Sequence, residues 1–172
     1  MGRLQQLQVT YAPQEDRILL RVNTTEREEF RFWLTRRLVL RLLPGLTRSL
    51  ARQPDIGAQP DPEARREVYR FRREQALARA DFKTTYQEGA EQFPLGEQPV
   101  LVTGIRLHRR EEDRWLMVLL PPGGQGTEIV LREDMVYSLQ NLLLKTAEGA
   151  GWGKAPATPA PAEGAPEGVT IN

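Results

Sequence analysis

Glu15-Asp16-Arg17-Ile18-Leu19-Leu20-Arg21-Val22-Asn23 reads as an acidic turn feeding a strand. Ile18, Leu20 and Val22 alternate with Leu19, Arg21 and Asn23, the period-two pattern of a chain that buries one face. The passage recurs as Glu112-Asp113-Arg114-Trp115-Leu116-Met117-Val118-Leu119-Leu120. In that register, with no gap, Leu34 falls on Leu131, Val39 on Val136, Leu42 on Leu139 and Leu46 on Leu143. Any two hairpins leading into amphipathic helices share acidic turns and leucines, but a register that survives the intervening loop favours duplication.

Working outward from the first copy, residues 4 to 11 alternate loosely and predict a half-buried strand, and Pro13-Gln14-Glu15-Asp16 supplies the turn. A third strand follows over Phe30 to Leu34, with Phe30, Phe32 and Leu34 inward and Arg31 and Trp33 on the same outer face as Arg21. Thr35 is placed to cap a helix running to about Arg52, whose stripe is Leu38, Val39, Leu42, Leu43, Leu46 and Leu50. Pro44 is expected to kink or restart it. The second copy predicts one strand over Val100 to Arg109, another over Arg114 to Leu120, a third over Thr127 to Leu131, and a helix from Glu133 to about Gly149.

Between the copies, Pro54 to Pro62 reads as a linker, and Glu63 to Ala80 as a charged helix with a thin stripe of Ala64, Val68, Phe71 and Ala78. A long connection to Pro99 is pinned by Phe82, Tyr86 and Phe93. The expected fold class is α+β, with two pseudo-symmetric β-β-β-α units of antiparallel strands over residues 1–53 and 99–152. They are joined by residues 54–98, and an Ala/Pro/Gly-rich tail at 153–172 is expected to be disordered.

The composition closes several functional routes. Net charge is +1 and cysteine is absent from the 172 residues, so disulfides, thiolate chemistry and Cys-containing zinc sites drop out, and a cytoplasmic location is expected. Neither a signal peptide nor a spanning segment is read, so no membrane partner is expected. His108 is the sole histidine and has no second His or Cys with which to build a zinc site or a nucleophile–base pair. The acids at 111–113 match a hairpin turn and lack the ligand pattern of a calcium loop. Pro121 to Gly126 lacks the Lys-Ser/Thr ending of a phosphate loop. No enzyme activity, metal or cofactor is expected.

Charge asymmetry carries the functional reading. Residues 1–53 hold ten arginines against five acids, whereas residues 99–149 hold six bases against seven. Arg36 and Arg37 occupy a helical first turn, where the macrodipole disfavours cations and where the second copy has Glu133 and Asp134. Such a violation marks an anion site, unless Glu26, Glu28 and Glu29 just upstream pair with both arginines. Arg37, Arg41, Arg48 and Arg52 fall on one helical face, usually a solvated one. With Arg21, Arg31 and Trp33 they outline a groove in which bases stack on the aromatic while arginines track phosphates.

The expectation is therefore a binding protein for a polyanion, above all single-stranded nucleic acid, through Arg21, Arg31, Trp33, Arg36, Arg37 and Arg41. The tandem sheet-plus-helix plan resembles, in topology and not in signature residues, the Whirly and PUR-repeat single-stranded nucleic-acid binders, and a fold likeness does not carry function. The rival expectation is a protein-interaction or assembly module, with an acidic protein surface or a second copy of the chain as partner. It would use the charged helix, the tail, or the outer face of the second sheet, where Leu116, Val118 and Val130 require a cover, most simply a helix.

Overall fold

The computed structural model describes residues 2–111, 113–153 and 169–171. It is an α+β fold with two four-stranded sheets. The first runs in the order β1 (Leu4–Ala12), β2 (Arg17–Thr24), β3 (Glu29–Thr35), β4 (Val100–Val102), with β4 parallel to β3 and the other pairs antiparallel. The second runs β7 (Thr127–Arg132), β6 (Arg114–Leu120), β5 (Gly104–Arg109), β8 (Val169–Ile171), all antiparallel. Four helices complete the described chain: α1 (Arg36–Ala51), α2 (Pro54–Gly57), α3 (Pro62–Arg79) and α4 (Glu133–Gly149).

Alternation builds both sheets as expected: Ile18, Leu20, Val22, Phe32 and Leu34 are buried from the first, and Trp115, Met117, Leu119, Ile129 and Leu131 from the second. α1 and α4 pack on one another, and each also reaches the opposite sheet, α4 against β1 and α1 against β5 and β8. One hydrophobic core therefore spans both sheets and both helices. The edge strands β1 and β7 approach one another without pairing.

The two strand–helix passages have matching pairing. Arg17 lies opposite Thr35 and Ile18 opposite Leu34, and at the corresponding positions Arg114 lies opposite Arg132 and Trp115 opposite Leu131. Asp16 and Asp113 both adopt left-handed backbone, φ 46° and 57°, a conformation that Asp tolerates better than most non-glycine residues. The leading hairpins differ: Ala12 pairs with Arg17, but Arg109 pairs with Trp115 and not Arg114. The second turn is one residue longer.

Several expectations need correction. The single strand predicted over Val100–Arg109 divides at Thr103: β4 joins the first sheet and β5 the second, with the Thr103 amide held by the Leu120 carbonyl at 2.8 Å. Each sheet thus has four strands, not three. α1 passes through Pro44 without interruption, since buried leucines on either side fix the helix against the core. The predicted linker contains α2, which buries Ile56.

α3 exposes Phe71 and turns Tyr69, Arg72, Arg73 and Ala76 toward the body. Its docking is polar, with Tyr69 hydrogen-bonded to Gln140, Arg73 to Asn141, and Arg72 to Gln53 and Glu133. An apolar stripe was therefore a poor guide to its inner face. Within the tail, Val169–Ile171 forms β8 against β5, while the expectation for 154–168 lies outside the described residues. No helix among the described residues is long and apolar enough to cross a membrane.

Candidate polyanion-binding surface

The six arginine and tryptophan positions singled out by sequence fall into two groups with different surroundings. Arg21 and Arg31 are directly opposed on β2 and β3, a like-charge pair that needs a counterion. Glu29 supplies it. Its side chain is 1% exposed and accepts from Arg21 Nε at 3.1 Å, Arg21 Nη2 at 3.0 Å, Arg31 Nε at 2.5 Å and the Tyr86 hydroxyl at 3.1 Å. Burial pushes the Glu29 carboxyl up, but the hydrogen bonds from Arg21, Arg31 and Tyr86, with the charge of Arg21, outweigh it, and its pKa lies below the ordinary value.

The connection between α3 and β4 lies across this same face. The Glu88 carboxylate accepts from Arg21 Nη1 at 2.7 Å, the Tyr86 ring lies 4.4 Å from the Arg21 guanidinium, and the Phe93 ring lies 4.7 Å from that of Arg31. Arg31 Nη1 also donates to the Glu97 carbonyl at 2.9 Å, and Arg27 pairs with Glu91. An acidic strap thus occupies the outer face of the first sheet. Every side-chain nitrogen of Arg21 donates within the protein, and Arg31 donates through Nε and Nη1 beneath the Phe93 ring, which removes both from an open groove. Trp33, half-buried, stands between Leu19 and Leu101 in neighbouring strands, so its flanks are occupied too.

The second group lies on α1. Thr35 caps the helix, accepting from the Leu38 amide at 3.2 Å, and no acid occupies its first turn. The upstream glutamates do not pair with Arg36 and Arg37: Glu29 holds the two sheet arginines, and Glu28 accepts from the Gly2 amide and the Thr24 hydroxyl, both at 2.8 Å. Arg36 Nη2 is directed to the Trp152 carbonyl at 3.5 Å. Arg37 and Arg41 are exposed, and Arg48 and Arg52 are half-buried. At 100° per residue these four lie within an arc of about 60°, spread over roughly 22 Å of helix axis.

Trp152, just past the end of α4, ties that end to the first hairpin. Its Nε1 donates to Asp16 Oδ1 at 2.8 Å, where the Tyr11 hydroxyl also donates at 3.0 Å, and its ring meets Tyr11 edge-on at 5.7 Å. These bonds, with Trp152 first, hold the Asp16 carboxyl below its ordinary pKa. The latch fixes the first hairpin to the end of α4 beside the start of α1. No local motif could have revealed it, because its members are separated by most of the chain.

Comparison with protein-family models, curated proteins and solved structures returned no match.

Proposed function

We propose that this protein is a non-enzymatic polyanion binder that engages single-stranded nucleic acid along the arginine-bearing face of α1. The observation that carries the reading is the composition of that helix: Arg36, Arg37, Arg41 and Arg48 with no carboxylate anywhere in Arg36–Ala51. α4, the counterpart of α1, begins with Glu133 and Asp134 and so satisfies its own dipole. A backbone phosphate at the start of α1 would meet the Arg37 guanidinium together with the helix dipole, and Arg41 and Arg48 extend the track. The outer sheet face is not part of this site, because the strap fills it.

The matching β2–β3 and β6–β7 registers and the paired left-handed aspartates support an origin by duplication, after which only the first copy became basic. A second reading, assembly through the second sheet, is favoured by one observation: Val130 is 50% exposed on its outer face.

Fluorescence titration of labelled single-stranded and duplex oligonucleotides, at about 50 and 200 mM salt, tests the proposal. With three arginines engaged, log K for a single strand should fall against log salt with a slope of about −2. Arg37→Glu and Arg41→Glu should each weaken binding severalfold and flatten that slope. Salt-insensitive binding, or none at micromolar protein, would remove the reading.

A further inference from the structure

We infer that two copies of this chain pair through the open edge of β7, antiparallel and centred on Val130, joining their second sheets into one. The inference is independent of the polyanion reading and rests on the edge strand itself. β7 is hydrogen-bonded to β6 on one side; on the other, where β1 comes near without pairing, its backbone has no strand partner among the described residues. The Glu133 amide points toward β6, donating to the Asp113 carbonyl at 3.0 Å. Because backbone direction alternates along a strand, the N–H and C=O groups of Glu128, Val130 and Arg132 point to the open edge. The side chains of the same three residues are exposed.

An open edge is normally blunted by charges of one sign, which repel a second copy. Here the edge reads Glu128, Val130, Arg132, and a two-fold axis at Val130 makes it self-complementary. Glu128 of each copy falls opposite Arg132 of the other, and Val130 faces Val130, so both copies satisfy their edge groups through one isologous contact.

One further observation fits this occupant. Val130 lies opposite Leu116, so pairing extends an apolar row from Leu116 through the two Val130 side chains to the second Leu116. That row gives the exposed valine a second apolar neighbour, on the side away from Leu116.

Sedimentation of the full chain, with circular dichroism to verify folding, tests this directly. The wild type should sediment with twice the 19.6 kDa chain mass at concentrations up to about 100 μM. Glu128→Arg and Arg132→Glu should each weaken association on the order of tenfold or more, since each turns two attractive cross-strand pairs into repulsive ones. An equimolar mixture of these two variants should recover the dimer, because every Arg then faces a Glu, and the double variant should dimerise alone. A wild type that stays monomeric, or single variants that dimerise as well as the wild type, would overturn the inference.

Discussion

Glu29 shows how one buried carboxylate can reverse the meaning of nearby arginines. Arg21 and Arg31 face outward in the alternation, and sequence pattern makes them candidates for a phosphate track. Their shared counterion instead ties them to the sheet, and Tyr86 and Glu88 arrive from more than fifty residues away to close the site. Asp16 makes the same point at the first hairpin, where the Trp152 indole and Tyr11 hydroxyl hold it ionised. A carboxylate whose pKa is lowered by folding stabilises the fold fully above its unfolded pKa and loses that contribution as pH falls through the folded value. The window for Asp16 therefore lies below the ordinary aspartate value of about 4. Trp152→Phe keeps the ring but removes the donor, so the Asp16 carboxyl should titrate at higher pH by NMR, and stability measured by urea between about pH 5 and 2 should vary less steeply than in the wild type. An unchanged Asp16 titration would show that the indole N–H does not set its charge.

Among the elements, α1 carries the proposed binding face and also an internal contradiction. Pro44 deprives the Leu40 carbonyl of its helical donor, yet Leu38, Leu42, Leu43, Leu46 and Leu50 bury the helix so thoroughly that it continues. Pro44→Ala should therefore raise unfolding stability by about 1–3 kcal/mol in urea titrations. Oligonucleotide affinity should stay level, because the arginines keep their spacing; a loss of stability would mean that ring packing outweighs the missing hydrogen bond. Elements of this kind were legible because their period is written locally. The inward residues of β2, β3, β6 and β7 follow directly from alternation. The break at Thr103 was not legible, since a polar residue between two apolar ones looks the same in one strand as between two strands claimed by different sheets. β8 was hidden by its three-residue length within an Ala/Pro/Gly-rich setting. The inner face of α3 was hidden because its partners on α4 are Gln140, Asn141 and Glu133, which an apolar stripe cannot anticipate. The candidate site was half legible for the same reason: the face of α1 is set by helical spacing, whereas the strap over Arg21 and Arg31 depends on a long-range return of the chain.

Across the whole molecule, the crossing of the helices between sheets governs how it comes apart. A three-stranded sheet with one helix buries too little to persist alone. Here α1 covers part of the second sheet, α4 covers part of the first, and the apolar side chains form one continuous core. The Trp152–Asp16 latch and the Arg72 links to Gln53 and Glu133 add polar ties between distant parts of the chain. Neither β-β-β-α passage can therefore lose its packing without exposing the other. Unfolding should be a single cooperative transition, with the calorimetric and van't Hoff enthalpies equal when measured on dilute protein so that association does not intrude. Residues 1–53 produced alone should lack the far-ultraviolet signature and exchange protection they have in the full chain. Two resolved transitions, or a folded isolated first unit, would mean that the shared core is an interface between two self-sufficient domains and that the helices contribute less across the sheets than their burial implies.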